Sequence, residues 1–146
     1  MTGTQENYGN NFAPNGTRAI GLAPSRLTNR GPGYALAIFG RPLRTQTCDC
    51  ERSMDPGLPQ AMYLLNDVDV NRKVGAPGGR MAKMLKSMPD NKQLVEELYL
   101  GTLSRYPTEA EVKKSLDYVA KAGSRQAGFE DLMWSLINTR EFVFNH

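Results

Sequence analysis

Two cysteines separated by a single residue, Cys48 and Cys50, are the side chains of this sequence best suited to chemistry. Thiols can ionise, oxidise or bind metals, so a close pair of them always requires an explanation. The segment around them is also rich in charged side chains that can hold carboxylates, phosphates or cations, namely Arg41, Arg44, Glu51 and Arg52. If the chain has a binding site of its own, this segment is where the sequence places it.

The spacing of the two cysteines leaves three interpretations open. They are free, partly buried thiols with a structural role, or they bond to each other in a small strained ring that is easily reduced. Alternatively, Cys48 and Cys50 ligate a metal, but a structural zinc site usually has four ligands in paired C-x₂₋₄-C spacing. The only histidine is His146, the last residue. We therefore predict no metal site. Cys48 and Cys50 are only weak candidates for metal ligands.

Other catalytic patterns are missing from the sequence. It contains no C-x-x-C-H motif for haem attachment, no phosphate-binding loop and no G-x-G-x-x-G. A serine-type triad would have to use His146, and no nucleophile elbow is present. We therefore predict no catalytic residue and no cofactor, and the sequence favours a chain without enzymatic activity of its own.

The net positive charge of the chain comes from its first third. The net charge is +3 over 146 residues, and residues 1–53 carry six arginines, no lysine and three acids. The remaining residues carry twelve basic and twelve acidic side chains. This excess is small for a nucleic-acid-binding protein, and aromatic platforms are sparse near the arginines. We predict no nucleic-acid partner; binding of an acidic polymer by the arginines is the weaker alternative.

The distribution of glycine and proline divides the chain into two regions of different composition. Residues 1–57 hold eight of the fourteen glycines and five of the nine prolines, which prevents long helices there. We expect residues 1–15 to be disordered and residues 16–57 to form an irregular Arg-rich arm containing the C-x-C motif. Within the arm, Tyr34 to Phe39 fits one or two helical turns.

Residues 58–146 are predicted to form a helical domain, because apolar side chains recur there every three to four positions. A first helix starts near Pro59, with Leu58, Met62 and Leu65 on one face. Later helices have core faces formed by Met81, Met84, Leu85 and Met88; by Leu94, Val95, Leu98, Thr102 and Leu103; by Val112, Leu116 and Val119; and by Phe129, Leu132, Met133, Leu136 and Ile137. The predicted fold class is therefore mainly α, a compact bundle of about five to six short helices with the irregular arm at its N-terminal end.

Helix boundaries are marked by local signals. Asp90 is placed to cap one helix, and Thr108 with Glu111 has the spacing of a capping box. Gly123 is predicted to be a left-handed C-cap. No apolar run approaches the ~18 residues that span a bilayer, and the first residues do not resemble a signal peptide. A complete polypeptide of this kind would be cytosolic by default.

Several blocks of the sequence, in order, are similar to one protein family. They are GTRAIGLAPSRL, FGRPLRTQTCDCERSMDPGLPQAMYLLND, GGRMAKML, VEELYLGTLSRYPTEAEV and LMWSLINTREFVFNH. Over residues 16–146 the chain resembles the C-terminal portion of the domain of unknown function 1553, a planctomycete family that accompanies cytochrome-c-like domains in large cell-envelope proteins. By this resemblance the motif positions are Arg41, Cys48, Cys50, Glu51, Arg52, Gln60 and Asn66.

The resemblance implies a cellular location and a partner, but no mechanism. It implies a location in the periplasm or cell envelope and a partner in the missing N-terminal part of a parent protein or in another envelope protein. The first hypothesis is thus a non-catalytic structural or interaction module, the C-terminal part of a larger planctomycete envelope protein. The alternative is part of an enzyme or redox component with a site around Cys48 and Cys50.

Overall fold

The computed structural model describes residues 2–5, 8, 13–14, 16–22, 32–40 and 57–144. Every regular element within these ranges is a helix, which confirms the mainly α class. A short 3₁₀ helix at Ala19–Gly21 precedes the α-helices α1 (Pro32–Ile38), α2 (Leu58–Asn66), α3 (Val68–Val74), α4 (Arg80–Ser87), α5 (Asn91–Leu103), α6 (Glu109–Lys121), α7 (Arg125–Ile137) and α8 (Arg140–Phe144). None of these helices is long and apolar enough to cross a lipid bilayer.

The chain divides into two compact units. The N-terminal unit is Gln5–Tyr63, and the C-terminal unit combines Met1–Thr4 with Leu64–His146. Within the C-terminal unit, the carbonyl of Thr2 accepts a hydrogen bond of 2.7 Å from the backbone N–H of Arg80, at the start of α4.

The core of the C-terminal unit forms around α7, which contacts α3, α4, α5, α6 and α8. The predicted apolar face of α7 is buried throughout, and Phe129 has no exposed surface. Leu94 and Val95 of α5 are equally buried, and Met81 of α4 is 1% exposed. The apolar spacing read from the sequence therefore identifies the buried face of α7 and most of those of α4 and α5. Leu85, Met88 and Thr102 are only partly buried, and the buried Tyr99 was not predicted.

Close packing of α6 on α7 depends on a glycine. A Cβ atom at Gly128 would lie 3.0 Å from the Cα of Val119 and 3.0 Å from the Cβ of Ala122. Since the obstacle includes backbone, the helices could not approach as closely with any larger residue at this position. Gly128 thus sets the spacing of the two helices.

Three predicted helix boundaries can be compared with the structure. The side chain of Asp90 accepts a hydrogen bond from the N–H of Lys92, and Thr108 and Glu111 form the reciprocal capping box. The predicted left-handed cap at Gly123 is wrong: α6 ends at Lys121 and its C-cap residue, Ala122, is extended. A left-handed C-cap is found instead at Ser104, after α5, with φ 57°. The N–H of Ala122 still reaches the carbonyls of Tyr118 and Val119, so the helix closes without a glycine.

The described residues form more α-helices than the five or six expected, because two short ones were not separated in the sequence. Asp67 interrupts the chain after α2 and caps α3, accepting from the N–H groups of Asp69 (2.9 Å) and Val70 (3.0 Å). Thr139 likewise separates α8 from α7, and its hydroxyl accepts from the N–H of Phe142. Short polar residues with these local bonds break a helix without proline or glycine.

Candidate functional site

In the N-terminal unit, α1 packs against α2 through aromatic rings. The ring of Tyr63 lies 6.2 Å from that of Tyr34 and 6.0 Å from that of Phe39, in edge-to-face arrangements of 60° and 86°. Such pairs add roughly 0.5–1.5 kcal/mol each beyond their buried area. The helical stretch predicted around Tyr34 is therefore a real element, held by an aromatic contact across more than twenty residues of sequence.

Gln60 ties the same two helices together by hydrogen bonds. Its Oε1 accepts from the N–H of Gly57 at 2.7 Å, and its Nε2 donates to the carbonyl of Ile38 at 2.8 Å. The first bond satisfies an N–H at the start of α2, and the second satisfies a carbonyl at the end of α1. Both ends of the amide are thus used to position α2 on α1.

Four large apolar side chains are exposed among the described residues of this unit. Tyr34 and Phe39 are each 51% exposed, Leu58 is 72% exposed and Met62 is 52% exposed. Leu58 and Met62 lie one turn apart on α2, whose sequence LPQAMYLLN contains no charged residue. We name Tyr34, Phe39, Leu58 and Met62 the α1–α2 apolar surface. A surface helix without charge and with an exposed apolar ridge is typical of a protein contact site.

The residues predicted from the sequence as a binding site are placed as follows. Gln60 has the positioning role given above, and Asn66 is exposed at the last position of α2. The others, including the cysteine pair, lie outside the described residues: Arg41, Arg44, Cys48, Cys50, Glu51 and Arg52. A site around the cysteines stays a prediction, which thiol titration with and without reductant, together with metal analysis, would decide.

A metal site elsewhere in the described ranges has no support from side-chain placement. No group of three or more His, Cys, Asp or Glu side chains there lies close enough to hold a metal ion.

In the C-terminal unit, Arg105 is the centre of an ion-pair network. Its guanidinium binds both carboxylate oxygens of Glu111 at 2.9 and 3.0 Å, and both oxygens of Glu141 at 2.6 and 2.9 Å. The same group lies 5.5 Å from the ring centre of Tyr99. Arg105 therefore joins the end of α5 to the start of α6 and to α8.

The ionisation of these groups reflects their fixed partners. The Arg105 guanidinium, followed by the backbone N–H of Thr108, lowers the pKa of Glu111 to about 2. Arg105 also lowers the pKa of Glu141. Burial is the main cause that raises the pKa of Tyr99. These carboxylates remain charged and engaged with arginine, an arrangement that serves folding rather than proton transfer.

A second arginine, Arg125, binds the backbone carbonyls at the end of α4. Its guanidinium donates to the carbonyls of Leu85 at 2.9 Å and Met88 at 2.5 Å, and its Nε donates to Asn91 Oδ1 at 2.8 Å. These carbonyls belong to the last turn of α4 and the residue after it, where no intrahelical donor remains. Arg125 lies at the first position of α7, so it fixes α7 against the α4–α5 connection.

The roles of Tyr63, Arg105 and Arg125 were not predicted from the sequence. Their partners Phe39, Glu141 and Leu85 lie 24 to 40 positions away in the chain, beyond any local pattern. The block VEELYLGTLSRYPTEAEV contains both Arg105 and Glu111, and this acid–base pair beside a capping box was the only available signal.

A comparison with protein families gives one match. The model of a family named PSD1 and described as a protein of unknown function (DUF1553) matches residues 13–119. The matched span includes the cysteine segment, the α1–α2 apolar surface and the helices up to most of α6. No curated protein and no solved structure matches the chain.

Proposed function

Since the chain belongs to the PSD1 family of proteins of unknown function (DUF1553), we propose that it acts as a non-catalytic interaction module. Its parent is a larger planctomycete cell-envelope protein, of which it forms the C-terminal part. Its partner is the preceding part of that parent polypeptide, or failing that another envelope protein. The proposed location is the periplasm or cell envelope.

The observation that carries this proposal is the exposure of the α1–α2 apolar surface. Contact with water costs about 25 cal/mol for each Å² of apolar area, so covering Leu58 and Met62 with a partner would stabilise a complex. Tyr34 and Phe39 add rigid aromatic area, and aromatic residues and methionine are enriched at protein interfaces. The charged side chains described above offer no comparable attraction, because Arg105 and Arg125 are bound within the fold.

The uncharged, partly apolar sequence of α2 is more typical of a protein interface than of a solvent-exposed helix. Gln60 and Tyr63 fix one side of α2 on α1, while Leu58 and Met62 face outward from a helix without charge. Exposed helix faces usually carry Lys, Arg or Glu, which keep a protein soluble. The hydrogen bonds of Gln60 and the ring contacts of Tyr63 hold α2 on α1, which reduces the entropy lost on binding.

An apolar dye and light scattering test the proposal on the purified chain. The double variant L58Q/M62Q replaces two apolar side chains of the surface by polar ones without adding charge. V68Q/Y106Q is the matched control, since Val68 (76% exposed) and Tyr106 (68% exposed) belong to the C-terminal unit. We expect wild type to bind the dye or self-associate, L58Q/M62Q to lose this property, and the control to keep it. A monomeric wild type that binds no dye would count against the proposal.

A further inference from the structure

A second candidate surface lies in the C-terminal unit, in a groove between α5 and α6. Its volume is about 480 Å³, within the range of roughly 300–1,000 Å³ typical of binding pockets. The floor is apolar and formed by Pro107, Val112 and Leu116. Val112 and Leu116 lie one turn apart on α6 and are only half-buried, although the spacing predicted that they face the core.

The two rims of the groove differ in charge. On the α5 rim, Lys92 and Glu96 lie one turn apart and form an ion pair at 4.0 Å, so this side is close to neutral. On the α6 rim, Glu109, Lys113 and Asp117 follow one another at intervals of four residues. The α6 rim therefore presents an acid, a base and an acid in sequence along one stripe.

The shape of the groove indicates which kind of partner it can bind. Two neighbouring helices with an apolar floor between them accept a third helix, whose apolar face lies in the groove. From Glu109 to Asp117 the rim extends roughly 12 Å, or about two helical turns, at 1.5 Å per residue. The occupant then needs an apolar ridge of about that length.

Charge specifies the occupant further. The negative ends of the α6 rim attract basic side chains about two turns apart, and Lys113 attracts an acid between them. We propose that this groove binds an amphipathic helix of a partner protein, with basic residues opposite Glu109 and Asp117. The inference rests on the proposed interaction role and adds a second surface, made of residues other than the α1–α2 apolar surface.

The test uses two synthetic helical peptides with the same leucine ridge and opposite flanking charges. One carries Lys, Glu and Lys at the positions facing the α6 rim, and the other carries Glu, Lys and Glu. Binding of each fluorescently labelled peptide to the full chain is followed by anisotropy at low salt. We expect the Lys-Glu-Lys peptide to bind at least about threefold more tightly, because its flanking charges are opposite to those of the α6 rim.

Two charge-neutralising variants locate the effect. In E109Q/D117N the difference between the peptides should shrink or reverse, since only Lys113 remains on that rim. E130Q/D131N removes the same two charges from α7 and should keep the difference. Val112→Thr, a change of similar volume in the floor, should weaken both peptides. Circular dichroism verifies that each variant is folded.

Failure of this inference can be separated from failure of the proposed function. Equal binding of the two peptides, no binding of either, or an unchanged preference in E109Q/D117N would overturn the groove assignment. None of these variants alters Leu58 or Met62, so the dye and scattering test on those residues stands independently. A peptide preference lost in L58Q/M62Q as well would also count against the groove.

Discussion

The core of the C-terminal unit and the α1–α2 apolar surface use their side chains in opposite ways. In that core, apolar side chains such as Phe129 are fully buried, and the arginines at 105 and 125 bind carboxylates or carbonyls of the same fold. On the α1–α2 apolar surface, four large apolar side chains are about half or more exposed, and the helix that bears two of them has no charge.

This difference separates a stabilising core from a contact surface. Burial and saturated hydrogen bonding stabilise a fold but leave little free energy for a partner. Exposed apolar area on an ordered helix does the reverse. The comparison predicts that substitutions of the buried residues of the C-terminal unit lower stability, whereas substitutions of the α1–α2 apolar surface alter association.

The largest effect is expected at the centre of the core. Phe129→Ala removes a ring that has no exposed surface, and the cavity should lower the free energy of unfolding by about 3–5 kcal/mol. Chemical denaturation with urea measures the loss. Leu58→Ala is the matched truncation in the N-terminal unit and should cost about 0.5 kcal/mol or less. Similar losses at the two positions would remove the distinction between the units.

The second-largest loss of unfolding free energy is expected for a substitution of Arg125. Arg125→Leu keeps much of the aliphatic length but leaves the carbonyls of Leu85 and Met88 without their donor. We expect a loss of about 1–3 kcal/mol by the same denaturation measurement. Arg72→Leu is the control, because Arg72 pairs with Asp69 on the surface and its side chain is 73% exposed. An Arg125 variant as stable as the Arg72 variant would contradict the closing role assigned to Arg125.

The Arg105 network should make stability depend on acid pH. The folded-state pKa of Glu111 is about 2, below its ordinary value of 4.5. Its contribution is therefore complete above about pH 4.5 and is lost as the pH falls toward 2. Glu141 acts in the same direction. Since the Glu111 side chain is 31% exposed, screening limits the effect to about 1 kcal/mol.

Thermal denaturation between pH 6 and pH 2.5 measures this dependence. Glu111→Gln should show a shallower loss of stability with acid than wild type. Glu130→Gln, at a partly buried carboxylate of α7 that accepts a hydrogen bond from Gln126, should follow the wild-type curve. A Glu111→Gln curve parallel to wild type would show that the pair with Arg105 does not stabilise the fold.

The smallest effect on stability is expected at the α1–α2 apolar surface. L58Q/M62Q should change the free energy of unfolding by about 0.5 kcal/mol or less, because both side chains are already in contact with water. A loss of several kcal/mol would instead show that this ridge belongs to the core of the N-terminal unit.

Local patterns were sufficient to place the longer helices of the C-terminal unit, α4 to α7, but did not separate α3 and α8. The apolar spacing of α7 predicted five residues that are all buried, and the capping box at Thr108 and Glu111 is present. These features depend on residues within one or two turns of each other, which a sequence displays directly. Gly123 shows the limit of such patterns: a glycine permits a left-handed cap but does not require one.

The candidate site was less accessible to sequence reasoning. Leu58 and Met62 were placed correctly on one face of a helix, but their exposure depends on which side of α2 meets α1. That side is set by Tyr63 and Gln60, whose partners at Phe39 and Ile38 are more than twenty positions away. The bridging roles of Arg105 and Arg125 were missed for the same reason.

The most direct test of the central claim is a binding measurement on the α1–α2 apolar surface. Calorimetry would titrate the purified chain with the polypeptide that precedes the matching region in a longer family member. We predict saturable binding with a negative heat-capacity change, lost in L58Q/M62Q and retained in V68Q/Y106Q. No binding to wild type, or equal binding by L58Q/M62Q and wild type, would contradict the account.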